Sequence, residues 1–422
     1  MAQQPAYWRP VVVARGAIPY MGNEQGAPRL RFYTHVDGYY GSSLSNASTD
    51  LVTKKEETQN DPTEAVEFGI GASGYHRWER STVAVDYHSS FRRYSRNRPD
   101  EGGDHLLSLG LRRELTPRWK LSLAESAGRF SRQFLYNPFS ALDPALTGVP
   151  RNDVFDDRTD FLSTVAEIIY QQSPRLSFGV GGRGYLVRRQ SQLLVGLNSY
   201  QGNTGVAYAL TPTKSISIDY GYARYAYTRN AGNADTQDVG LGFSQRLGPH
   251  SELGLRAGGY RVGQETLTQV EVNPALVPIV GRNVTLRSSH RAHFHPSLEA
   301  GLKRQFHYSS VSIGYLLGID PGNGVYLLSR RQSVEVGYTY AGIRRMRLGF
   351  STGYGNYRSF LQNAGQYRNF RAGGGLTYKI IDALQFVTRF DANRFEVPVT
   401  GFGKDRYQVT IGLAFVSREI PI

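Results

Sequence analysis

Arg406-Tyr407-Gln408-Val409-Thr410-Ile411-Gly412-Leu413-Ala414-Phe415-Val416-Ser417-Arg418 decides the fold. Val409, Ile411, Leu413 and Phe415 fall on one side of an extended chain, and Gln408, Thr410, Gly412 and Ala414 on the other, because side chains alternate at period two. One face is apolar and the other is small or polar. The same pattern recurs along the chain in segments of about ten or more residues, the length a tilted strand needs to cross a bilayer.

This ending resembles the terminal strand of Gram-negative outer-membrane β-barrels of the porin-like kind. Those strands carry a polar residue, a glycine and alternating apolar or aromatic residues, matched here by Thr410, Gly412, Leu413 and Phe415. They usually finish on an aromatic residue, whereas this chain runs on through Glu419-Ile420-Pro421-Ile422. The resemblance implies an outer-membrane protein delivered to the barrel-assembly machinery through its C-terminal strand, with lipid around it. It also implies passive diffusion of small hydrophilic solutes.

Composition fits that reading independently. The 422 residues include no Cys, 47 Gly, 28 Tyr and 20 Phe, with a hydrophobic share of only 40%. A soluble chain of this length normally splits into domains with continuous cores. A barrel needs only one apolar band, one residue thick, around a polar interior. Tyr in excess of Phe suits interfacial girdles, where the ring is buried and the hydroxyl stays wet. Met1-Ala2-Gln3-Gln4-Pro5 lacks the basic and apolar regions of a signal peptide, so the numbering reads as a mature chain with an added or retained Met, after signal-peptide removal. The net charge of +14 is scattered rather than blocked, which argues against nucleic acid as a partner.

About eighteen antiparallel strands are expected between residues 29 and 418, as one up-and-down transmembrane β-barrel. Residues 1–28 form a periplasmic leader or a partial plug, and 419–422 a periplasmic tail. Tight turns at Glu79-Arg80, Thr116-Pro117, Ser173-Pro174, Thr211-Pro212-Thr213 and Gly248-Pro249 alternate with longer connections, polar at 42–63 and long at 136–158 and 264–288. An even strand count leaves both termini on the tight-turn side. Phrases repeat six strands apart: Gly38-Tyr39 with Gly184-Tyr185, Val83-x-Val85-Asp86-Tyr87 with Ile216-x-Ile218-Asp219-Tyr220, and Leu109-Gly110-Leu111 with Leu241-Gly242-Phe243. Three six-strand repeats are one explanation, and chance similarity among amphipathic hairpins is the other.

Placing the apolar faces toward lipid assigns the polar faces to the lumen. Charges facing lipid at mid-membrane cost about 2–4 kcal/mol each for Arg or Lys. The expected pore-lining set is Arg31, Arg112, Arg183, Arg246, Arg256, Lys303, Arg347, Arg371, Lys379, Arg389, Asp219, Glu299 and Glu335, joined by Asp37, Glu67, Asp86, Glu114 and Asp391. Its basic lean predicts a preference for anions. Inward glycines (Gly69, Gly71, Gly240, Gly242, Gly373, Gly375) are expected to leave room at the wall, or to permit strong strand curvature and close packing of a plug.

Other motifs carry less. Gly179-Val-Gly181-Gly182-Arg183-Gly184 matches a dinucleotide fingerprint, but the following residues alternate as strand instead of opening a helix, so the glycines read as inward-facing small residues. His290, His293 and His295 lack a third ligand at fixed spacing, so no metal is expected. No nucleophile elbow or Cys-x-x-Cys-His is present, so neither an enzyme nor a resident cofactor is expected. Two functions stay open: the pore, and a non-conducting scaffold barrel that docks or sheathes a lipoprotein, a secreted polymer or a cytochrome. Loops 136–158 and 264–288 share a Pro-Ala-Leu phrase and are apolar, so they either fold inward or hold a protein partner.

Overall fold

A computed structural model describes residues 26–42, 63–95, 102–130, 158–190, 194–229, 231–271, 284–322, 324, 327–360, 365–398, 402–417 and 420–421. Strands β1 (Gly26–Gly41), β2 (Thr63–Arg77), β3 (Ser81–Tyr94), β4 (Gly102–Glu114), β5 (Trp119–Phe130) and β6 (Thr159–Gln171) make the first third. The middle third holds β7 (Leu176–Arg189), β8 (Leu197–Thr211), β9 (Lys214–Tyr227), β10 (Asn233–Arg246), β11 (Ser251–Glu271) and β12 (Val284–Gln305). The last holds β13 (Ser309–Asp320), β14 (Ser329–Tyr340), β15 (Met346–Ser359), β16 (Gln366–Lys379), β17 (Leu384–Val397) and β18 (Phe402–Val416). Each strand pairs antiparallel with its sequence neighbours. β1 pairs with β18 from Tyr33↔Val416 to Gly41↔Gln408, and the barrel closes. Ile420 and Pro421 prolong that ladder against Leu30 and Arg29.

Directly opposed residues share a face, so the registers carry one parity around the whole wall. Leu109, Val239 and Ile411 are exposed on the outer face, while their neighbours Ser108 and Thr410 are buried on the inner one. An outer aromatic cluster marks the tight-turn rim: Trp119 and Tyr170 lie 4.7 Å apart, and Tyr170 and Phe178 6.4 Å apart. The architecture is a closed, up-and-down antiparallel β-barrel of eighteen strands with an apolar outer face, the form in which strands cross a membrane. One outer residue breaks the apolar rule at mid-strand. Glu125 opposes Leu109 on β4 and Thr164 on β6.

The repeated phrases keep their faces. Tyr39 and Tyr185 point inward, Asp86 and Asp219 point inward, and Gly110 and Gly242 point inward, each pair six strands apart.

Three expectations need correction. Residues 264–271 and 284–288 are strand, not loop, because β11 and β12 stay paired up to Glu271↔Val284. β12 loses β13 above Leu298, so this hairpin rises beyond the wall. Within the fingerprint string, Gly182 and Gly184 face outward, opposite Ala166 and Thr164, while Gly179, Gly181 and Arg183 face inward. The inward glycines are not open space either. A Cβ on Gly69 would strike the His35 ring, on Gly71 the Tyr33 ring, and on Gly240 the Arg256 guanidinium. Residues 1–25, 131–157 and 272–283 lie outside the described set, so the leader and most of the two apolar loops do too.

Candidate pore lining

The register places the whole expected set on the inner face, in two groups. Arg31, Arg112, Arg246, Lys303, Arg347 and Lys379 sit near the tight-turn ends of their strands. There Lys379 meets Asp382 of the following turn at 2.8 Å, and Lys120 meets Glu114 at 3.6 Å. Arg183, Arg256, Arg371, Arg389, Asp219, Glu299 and Glu335 lie further along, and most are tied to one another.

The deeper group follows a simple construction. A long inward side chain crosses a glycine on the next strand and meets a partner on the strand beyond. Arg256 of β11 crosses β10 at Gly240, donating through Nε and Nη2 to Asp219 of β9 at 3.0 and 2.5 Å. Its Nη2 also donates to Asp238 Oδ2 at 2.6 Å. Arg371 of β16 passes Gly353 of β15 and donates to Glu335 Oε1 of β14 at 2.5 Å. Arg331 donates to the same oxygen at 3.2 Å and lies 3.9 Å from Asp320. Tyr33 of β1 passes Gly71 of β2 and lies 3.4 Å from His88 Nδ1 of β3. Replacing such a glycine therefore displaces a charged or aromatic neighbour. Arg389 and Asp391, two residues apart on one strand, pair at 2.5 Å without crossing a neighbour.

The densest polar cluster lies on β1–β3. Glu67 is ion-paired to Arg92, and His35 Nε2 lies 3.5 Å from Glu67 and 3.6 Å from Asp37. His35 stacks on His88 with centroids 5.4 Å apart, and Arg92 lies over the Tyr39 ring at 4.9 Å. His35, Asp37 and Glu67 offer ligand atoms within 4.8 Å of one another, closer to metal-ligand spacing than the expected histidines. Arg92 already supplies the positive charge there. His293 and His295 share the inner face, with rings 6.1 Å apart, and both lie against Phe360. They read as aromatic packing.

Arg92, Asp238, Asp320 and Arg331 were missed from the sequence. Arg92, Asp238 and Arg331 sit at the same parity as expected inward residues on their own strands (Asp86, Arg246 and Glu335), so the alternation held the signal, whereas β13 carried no expected residue to set beside Asp320.

Among the described residues, an apolar cluster occupies the loop side across the middle strands. Leu194 and Leu328 are almost fully buried with Leu327 against Tyr185, Val187, Tyr225, Tyr227, Tyr260 and Val262. The connections after β7 and β13 are joined by Val195 N–H donating to the Gly324 carbonyl at 2.9 Å. The Tyr227 hydroxyl donates to the Pro321 carbonyl at 2.9 Å and that of Tyr260 to Gly318 at 3.3 Å. The inward-folding segments are thus these two connections.

No family model matches the chain, and no curated protein sequence matches it. Among solved structures it is similar to a BenF-like porin from Pseudomonas fluorescens Pf-5, with 10% identity, TM-score 0.46, and 94% of this chain and 99% of that one covered. It is also similar to Pseudomonas aeruginosa OpdQ, at 12% identity and TM-score 0.45, covering 92% and 98%. Pseudomonas aeruginosa OpdK with vanillate gives 12% identity and TM-score 0.42 over the same shares of the two chains, 92% and 98%. None transfers a residue role to this chain.

Proposed function

We propose that this barrel is an outer-membrane pore through which small hydrophilic solutes diffuse, with a lean toward anions. One observation carries the reading: inside a closed wall, charged side chains on many strands face a common interior, and those at the tight-turn mouth are mostly basic. Deeper in, Arg256 faces Asp219 and Asp238, Arg371 and Arg331 face Glu335 and Asp320, and Arg389 faces Asp391. Those groups are balanced or slightly acidic. The anion lean therefore comes from Arg31, Arg112, Arg246, Lys303, Arg347 and Lys379 at the mouth, where a local excess of one sign raises counter-ion concentration.

In this reading the chain is exported and its signal peptide removed. It is inserted by the barrel-assembly machinery through β18, and it acts as a channel rather than an enzyme. The scaffold reading keeps one observation in its favour, the apolar packing of Leu194, Leu327 and Leu328 across the loop-side mouth. The segment 136–158 and the top of the β11–β12 hairpin, within 264–288, would then hold the partner. Proteoliposome swelling separates the two. A pore swells vesicles in small sugars and organic acids, faster for the anionic solutes. A scaffold leaves them at the rate of empty vesicles.

A further inference from the structure

On the outer wall, three cross-strand rows run from β9 to β12. The loop-side row is Tyr222, Gln237, Arg261 and Phe294, and the next is Tyr220, Val239, Gly259 and Pro296. Below it come Ile218, Leu241, Ala257 and Leu298. The middle row is hollow, because Gly259 has no side chain and its partner Pro296 is compact. The result is a cavity of about 510 Å³ on the lipid side, bounded by Tyr220, Gln237, Val239, Gly259, Arg261, Phe294 and Pro296. Phe294 stands beside it, 76% exposed. Above Leu298, β12 has no β13 beside it, so this flank stays open.

Polarity changes along the notch in the membrane direction. Arg261 lies about ten residues above the tight turn, roughly 25 Å along the axis for a tilted strand, at the edge of the apolar band. The floor toward mid-membrane is Val239, Gly259, Pro296 and Leu241. A guanidinium above an apolar slot matches one lipid, with its phosphate at the rim and a chain beneath. Asp235, an outer carboxylate one row higher, lies over Gly263 on the loop side of Arg261, away from the apolar floor of the slot. Arg188, Arg358 and Arg368 are likewise exposed near the loop-side ends of their strands.

We infer that the outer notch between β9 and β12 holds one phosphorylated lipid, its phosphate on Arg261 and Gln237 and an acyl chain over Val239, Gly259 and Pro296. The inference rests on the membrane placement and is independent of whether the lumen conducts.

The test is native mass spectrometry of the detergent-solubilised full chain, titrated with dimyristoyl phosphatidic acid or with phosphatidylcholine of identical chains. The wild type is expected to retain one phosphatidic acid and to prefer it over phosphatidylcholine. Arg261→Gln should weaken phosphatidic acid binding roughly tenfold or more and erase that preference. Gly259→Leu, which fills the slot, should lose both lipids, and Arg394→Gln, away from the notch, should behave as wild type. Heat-modified mobility on gels confirms that each variant is folded, and unchanged channel conductance separates this site from the lumen. Equal binding of the two lipids, or retention by both notch variants, overturns the inference. Displacement of the lipid by inorganic phosphate would show a free-anion site and overturn it as well.

Discussion

Arg256→Met keeps most of the side-chain volume and removes the cation between Asp219 and Asp238. Both carboxylates touch the same nitrogen, at 2.5 and 2.6 Å. They therefore lie within about 5 Å of each other, where two like charges repel by roughly 3 kcal/mol at an effective dielectric of about 20, and by under about 1 in bulk water. Their side chains are 12% and 22% exposed, which places the pair between those limits. The variant barrel should thus unfold more easily by about 1–3 kcal/mol. If the group faces a conducting lumen, the wall also gains unpaired negative charge, and the reversal potential in a salt gradient should move toward cations. Asp219→Asn alone in the same chain returns the group's net charge to that of the wild type and should restore the wild-type potential. An Arg256→Met barrel that is folded, conducts, and keeps the wild-type potential would refute the placement of this cluster along the ion path.

Arginine at Leu109, Val239 or Ile411 should cost about 2–4 kcal/mol near mid-membrane and lower the folded yield in vesicles, whereas Asn at Ser108 or Thr410 should fold normally. Glu125→Leu removes the carboxylate that faces lipid at mid-strand and should raise resistance to thermal unfolding, by less than about 2 kcal/mol. Gly240→Val should push the Arg256 guanidinium off Asp219 and lower stability, while the retained positive charge keeps the reversal potential closer to wild type than in Arg256→Met. Leu194→Ala with Leu328→Ala should loosen the loop-side mouth and raise conductance, at a stability cost of about 2–5 kcal/mol per side chain.

The alternation of Val409, Ile411, Leu413 and Phe415 recurs in every strand, because lipid demands an apolar side chain at each second position. That demand made eighteen strands and the inner face legible in sequence. It ends where the wall leaves the membrane. Residues 264–271 and 284–288 pair with each other above the point where β12 leaves β13, beyond the stretch in which lipid sets the alternation. Leu194 and Leu328 sit in apolar pairs at strand mouths, and sequence alone does not distinguish the start of a lipid-facing strand from a segment turned inward. The crossing of Gly240 by Arg256 depends on which strands are neighbours and in what register. A glycine at an inward position showed only that something comes close.

The central claim is an aqueous path through the barrel, and single-channel recording of the purified, folded chain in planar lipid tests it most directly. The account predicts discrete, reproducible conductance steps with a reversal potential on the anion side, shifted toward cations when Arg112 and Arg246 are changed to Glu. A folded barrel that inserts into the bilayer and yields no steps above leak would contradict it.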